Sequence, residues 1–174
     1  VVRIVGWDAR YARDVERLSR EWIERWFVSK PEDEAYYADP AARVIARGGE
    51  ILLALDGSDD DRVIGTCAAV PRADGAVELA KLAVTERARG RGIGRALAER
   101  VLAWAASREA PMVYLYSSSL LRPAVRLYES LGFVHAPMPA AAPHEDADVY
   151  MERRAESARL APSRSVCDPS VSLD

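Results

Sequence analysis

The amino-acid sequence predicts an α+β domain of the mixed α/β kind, built on one central sheet. Two observations carry that expectation. Three apolar runs, Ile51–Leu55, Val63–Val70 and Ala76–Val84, are separated only by turn-rich segments and read as an antiparallel meander. A helical stretch, Ile93–Ser107, then leads to the apolar run Met112–Ser117, a crossover that makes Ala76–Val84 and Met112–Ser117 parallel neighbours. A third observation marks the ligand end. The run Arg89-Gly90-Arg91-Gly92-Ile93-Gly94 lies between the strand and the crossover helix, where ligands bind in such sheets.

Taken in order, Val2–Val5 is a short strand and Asp8 an N-cap for a helix reaching about Phe27. Tyr11, Val15, Leu18, Trp22 and Trp26 recur at helical spacing and form its buried stripe. Pro31–Tyr37 is a loop or short helix. Asp39-Pro40 starts a second helix that ends at Gly48-Gly49. After the meander and the crossover come a helix over Arg122–Leu131, a short strand Phe133–Ala136, a proline-rich loop Pro137–Pro143 and a last strand Ala147–Arg153. Residues 1–154 form the domain. Residues 155–174 are polar and aperiodic, and are expected to be a mobile tail. The sheet is therefore mixed but mostly antiparallel, flanked by about four helices.

Composition narrows the function classes. The chain has 174 residues, 49% hydrophobic and 29% charged, with a formal charge of −3. That is ordinary for one globular domain with a real core. The acidic balance argues against nucleic acid as a partner, although Arg87, Arg89, Arg91, Arg95 and Arg100 cluster; no aromatics are interleaved with them. No apolar run is long enough for a membrane span, and Val-Val-Arg-Ile lacks signal-peptide anatomy. Cys67 falls in a strand and Cys167 in the tail, so a disulfide is not expected and a reduced cytoplasmic setting fits. No metal site is expected. His135 ends a strand, and His144, Glu145 and Asp146 are sequence neighbours that rarely converge on one ion. Asp59-Asp60-Asp61 lacks alternating ligand spacing.

The Arg-Gly run suits a pyrophosphate. Glycines allow close backbone approach, the following helix presents free N–H groups, and arginines add bidentate donors. A P-loop is excluded because no Gly-Lys-Ser/Thr follows. A dinucleotide fingerprint is excluded because Arg95 stands at its third glycine and three antiparallel strands precede it.

A third pattern fits. Leu82-Ala83-Val84, four residues, then Arg89-x-x-Gly92-x-Gly94 resembles the coenzyme A signature of the Gcn5-related N-acetyltransferase superfamily. Ala124-x-x-x-Tyr128-x-x-x-Gly132-Phe133 resembles its second motif, and the likeness runs over about residues 2–153. Trp22-x-x-x-Trp26-Phe27, Pro31-Glu32-Asp33, Asp39-Pro40, Gly48-Gly49, Glu78-Leu79-Ala80-Lys81 and Asp148-Val149-Tyr150-Met151-Glu152 resemble a bacterial subgroup, some of whose members are fused behind MarR-type DNA-binding domains. The chain is then expected to be a stand-alone catalytic module. One departure is Ser118, where relatives often carry Asn; its hydroxyl donates to a coenzyme oxygen over a shorter reach.

The resemblance implies a GNAT-like fold with splayed parallel strands, acetyl-CoA as co-substrate, and transfer to a small-molecule or peptide amine by direct attack in a ternary complex. A homodimer is left open. Coenzyme contacts fall on Leu82, Ala83 and Val84 through the backbone, on Arg89, Gly90, Arg91, Gly92, Ile93, Gly94 and Arg95 at the pyrophosphate, and on Ser118. Leu82–Val84 as plain core strand is the alternative. Glu78 is the candidate general base, directly or through water, because a carboxylate among apolar strand residues is costly unless used. A salt bridge to Lys81 or an arginine is the other account. Tyr128 is the candidate general acid, or else a core tyrosine. Trp26, Phe27, Tyr36 and Tyr37, with Glu32 and Tyr150, are candidates for the acceptor, whereas Trp22 lies on the core stripe. A coenzyme-binding sensor without activity is the alternative function.

Overall fold

The computed structural model describes residues 1–142 and 146–156. His144, Glu145 and Cys167, and the tail from residue 157, lie outside the described residues. Among the described residues seven strands form one sheet in the order β1-β2-β3-β4-β5-β7-β6. They are β1 (Val2–Val5), β2 (Glu50–Asp56), β3 (Arg62–Pro71), β4 (Val77–Val84), β5 (Met112–Ser117), β6 (Val134–His135) and β7 (Val149–Arg154). Only β4 and β5 run parallel; every other pair is antiparallel. The helices are α1 (Ala12–Trp26), α2 (Pro31–Ala38), α3 (Pro40–Arg43), α4 (Ile93–Ser107) and α5 (Arg122–Ser130).

Two cores back the two faces of the sheet. Leu97, Val101 and Ala105 of α4 and Tyr128 of α5 pack with Val77, Leu79, Val113 and Leu115 on one face. Val15 and Leu18 of α1 and Tyr36 and Tyr37 of α2 pack with Ile51, Leu53, Ala80 and Ala83 on the other. Among the described residues no helix is long and apolar enough to cross a membrane.

Several elements differ from expectation. Asp8 caps a 3-10 turn, Ala9–Tyr11, by accepting from Arg10 N at 2.9 Å, and α1 starts only after it. Of the loop or short helix expected over Pro31–Tyr37, the helix is found, because Pro31 sits in its first turn, three acids follow at its positive end, and Asp33 accepts from Lys30 N. The helix expected from Asp39 to Gly48 breaks into α3 and a 3-10 turn, Ile45–Arg47. Val44 leaves helical geometry there, and Gly49 N turns back to its carbonyl at 2.9 Å. The strand expected over Phe133–Ala136 is only two residues long, at the sheet edge.

Two irregularities in β4 make the site. It pairs with β5 only at Val77↔Val113 and Glu78↔Tyr114, so beyond Glu78 the two strands part. Its pairing with β3 also slips, with Ala68 opposite Ala80 but Thr66 opposite Ala83. The extra residue makes a β-bulge at Lys81-Leu82, where Lys81 has φ 55°. Side-chain alternation changes phase there. Leu79 faces α4, yet Ala80 and Ala83 both face α1 and α2.

Candidate active site

The parted strands open a cavity of about 580 Å³. Its walls are residues 78–84 of β4, the loop after β4, the end of β5, one side of α5, and the C-terminal end of α1 with Phe27. Among the described residues no strand pairs with the β5-facing edge of residues 79–84, so backbone donors and acceptors are presented to the cavity.

That edge runs into the glycine loop. A 3-10 turn, Glu86–Ala88, and an extended Arg89 lead to Gly90 and Gly92 at φ 75° and 76°. No atom stands within 4 Å of a Cβ placed on either glycine, so the left-handed backbone, not crowding, requires glycine there. Gly92 caps α4, and the first helical bond is Ala96 N to Gly92 O. The N–H groups of Ile93, Gly94 and Arg95 are thus left for an anion at the cavity wall. Arg89 and Arg95 line the cavity; Arg89 Nε donates to Val84 O at 3.2 Å. Arg91 does not. Its guanidinium turns outward to Asp56 at 3.1 Å, since residues two apart in this loop leave in different directions.

At the other end, Glu78 lines the cavity and is largely withdrawn from water, which raises its carboxyl above the ordinary 4.5. Tyr114 OH donates to Glu78 Oε2 at 3.4 Å, and Lys81 and Arg72 partly offset that rise. Its sequence neighbour Lys81 is paired elsewhere, with Asp33. Tyr128 also lines the cavity and packs edge-on against Phe133 at 6.0 Å. Burial pushes its phenol up, so it stays protonated at neutral pH. Ser118 is buried on the cavity wall, with its Oγ accepting from Leu120 N at 3.3 Å.

The expected acceptor residues divide. Phe27 lines the cavity; Trp22 packs on the core, as the helical stripe implied, and lines the cavity as well. Trp26 is 46% exposed and beside Arg25, off the cavity, because α1 is ending and its stripe rotates away. Tyr36 and Tyr37 are buried under α1 in the core, a placement made by α2 being a helix and not a loop. Tyr150 stacks with Tyr116 at 5.2 Å on β5 and lies off the cavity.

Sequence reasoning gave no site role to five residues that the structure brings in. Glu21 of α1 accepts from Thr85 Oγ1 at 3.1 Å and Glu86 N at 3.0 Å, and Arg25 pairs with Glu86 at 2.8 Å, so α1 fastens the start of the loop. Lys30, Asp33 and Lys81 line the cavity that Glu78 also lines. Only the polar face of α1 and the pairing of acid with lysine on separate elements signalled them. Among the described residues no three His, Cys, Asp or Glu side chains gather as metal ligands would.

A splayed parallel strand pair leading into a glycine-capped helix terminus brings an open strand edge and a helix N-terminus to one cavity. The family model of the acetyltransferase (GNAT) family matches residues 15–133, and the chain belongs to that family. The fold is shared with the GNAT-family acetyltransferase of Staphylococcus aureus Mu50, with TM-score 0.80 and 16% identity over 88% of this chain and 99% of that one. It is also shared with the phosphinothricin acetyltransferase of Sinorhizobium meliloti, solved in complex with AcCoA, with TM-score 0.72 and 20% identity over 88% of each chain. In sequence, the chain is similar to N-acetylaspartate synthetase of Rattus norvegicus, 42% identical over 77 residues, which is 44% of this chain and 26% of that protein. It is 50% identical over 54 residues to mycothiol acetyltransferase of Acidothermus cellulolyticus, 31% of this chain and 16% of that protein. These matches thus span about a quarter of the relatives' length or less.

Proposed function

We propose that this protein is an acetyl-CoA-dependent N-acetyltransferase that passes an acetyl group to a primary amine by direct attack in a ternary complex. One observation carries the reading: a single cavity joins an unpaired strand edge, an anion-binding helix terminus, a desolvated carboxyl and a protonated phenol. The solved AcCoA complex of a protein with the same fold supports the choice of donor. The Trp22, Pro31 and Asp148 segments keep the bacterial subgroup with MarR fusions as the nearest reading within the family.

In this reading the N–H groups of residues 93–95, with Arg89 and Arg95, hold the pyrophosphate. Residues 82–84 pair with the pantetheine amides as a missing strand would, and Ser118 adds a polar contact. A backbone N–H near Leu82 faces the thioester oxygen and stabilises the charge that grows there. Glu78 takes a proton from the incoming ammonium, directly or through one water, so that a neutral amine forms the new C–N bond. As the C–S bond breaks, Tyr128 gives its proton to the sulfur and free thiol leaves, and the second proton shed by the acylated nitrogen restores the Tyr128 phenol, directly or through solvent.

Calorimetric titration with acetyl-CoA, together with thiol release over a broad amine panel, tests this. Binding with thiol release on at least one amine is expected. No binding at millimolar ligand overturns the reading, and binding with no release on any amine points to a coenzyme-sensing module instead.

A further inference from the structure

Lysine occurs at two positions in this chain, Lys30 and Lys81, and both reach the acceptor end of the cavity. The placement of Lys81 is costly. Its φ of 55° is a left-handed conformation that disfavours a residue with a Cβ. The bulge also reverses the strand's alternation, and so puts Lys81 on the same face as Glu78 and Ala80, where plain pairing would turn it toward α4.

The ammonium is then held in place from α2. Asp33 is buried; one of its oxygens accepts from Lys30 N at 3.1 Å and the other from Lys81 Nζ at 2.7 Å. Lys81 Nζ also sits 5.2 Å from the centroid of the Tyr36 ring. One ammonium hydrogen is engaged by Asp33, the ring covers one side, and the group still lines the cavity. Lys30 is tied in turn to Asp146 at 2.8 Å. Among the described residues, the acceptor end therefore carries two lysines and two aspartates in pairs, plus Glu78. The separate cations, Arg89 and Arg95, belong to the glycine loop. A purely apolar amine would leave the Lys81–Asp33 pair desolvated without return.

Resting on the acetyl-transfer reading above, we propose that Lys81, braced by Asp33, binds the carboxylate of an amino-acid acceptor whose amine faces Glu78. Three residues of strand span at most ~10 Å. Two side chains converging from that separation fit an amine and a carboxylate joined by a short carbon chain. Lys81 is thus a specificity determinant, and the substrate class is amino acids, not simple amines.

The test is kcat/KM for thiol release on matched sets of free amino acids, their amides and their decarboxylated amines, with acetyl-CoA fixed. One ammonium–carboxylate bond predicts that the acid exceeds its amide by about tenfold to a hundredfold. Lys81→Met should bring that ratio close to one, and Lys81→Arg should restore part of it, while the calorimetric affinity for acetyl-CoA changes less than the ratio does. Wild-type protein that acetylates amides or decarboxylated amines as well as the acids overturns the amino-acid subsite and leaves the acetyltransferase reading standing. Wild-type protein that binds acetyl-CoA yet acetylates nothing in the panel overturns both.

Discussion

Replacing Glu78 with Gln changes one thing at the candidate base. The amide keeps the volume and still accepts from Tyr114 OH, which donates at 3.4 Å in the native site, but it cannot take a proton. Positioned bases contribute ~10²–10⁴ in rate, and a residue free to work through water belongs at the lower end, so kcat/KM should fall about a hundredfold at pH 8. That corresponds to ~2.7 kcal/mol of barrier. Because desolvation raises the Glu78 carboxyl above 4.5, the native kcat/KM should climb with pH through a limb displaced above the ordinary carboxylate range. The variant should lack that limb, and the two enzymes should converge toward its acid end, where native Glu78 is itself protonated. Stability supplies an independent sign. A carboxyl whose folded pKa is raised contributes most below 4.5 and loses that contribution as pH rises through the folded value, so Glu78→Gln should be the more heat-stable protein at pH 8 and equal to native at low pH. Steady-state thiol release from pH 5 to 9 and melting over the same range read both. A variant with native kcat/KM and the native limb refutes Glu78 as base; a loss of the same size at every pH makes it a structural residue.

Tyr128→Phe should lower kcat about a hundredfold with acetyl-CoA affinity nearly retained, read by turnover and calorimetry; an unchanged kcat removes Tyr128 as the acid. Gly49→Ala would press a Cβ onto Ala69 O and place it 2.9 Å from Val44 O, both backbone atoms, and should cost ~3 kcal/mol in urea unfolding. Asp56 is held at about 2, first by the Ser58 hydroxyl and N–H and then by Arg91, so its contribution to stability should be full above 3.8 and lost as pH falls toward 2. Asp56→Asn should flatten that part of the acid-unfolding curve, and an identical curve would show that these contacts add nothing.

The glycine loop was legible because its requirements are local. Gly90 and Gly92 stand where the backbone enters the left-handed region, and the helix that follows starts at Ile93. The meander and the crossover were legible for a similar reason, since apolar runs and turn residues report strand order directly. The first helix of the acceptor side was harder. Its stripe placed Val15, Leu18 and Trp22 on the core, as found, with Trp22 also lining the cavity, but included Trp26, which leaves the core altogether. Periodicity names a face and says nothing of whether a neighbouring strand has moved away from it.

Sequence by itself determined the order of strands and helices, the anion-binding loop, the two motifs of the family, and a carboxylate and a phenol at defined distances from them. Each depends on residues close along the chain, where glycine freedom, capping and apolar spacing act. Tertiary structure alone decided which of those side chains share a space. The slipped register of β3 on β4 turns Lys81 toward Glu78, Asp56 draws Arg91 out of the cavity, and the helix after Pro31 carries Tyr36 and Tyr37 into the core and Asp33 to Lys81. Those outcomes rest on pairing between strands and packing between elements far apart in sequence, where a one-residue shift exchanges a buried face for an open one.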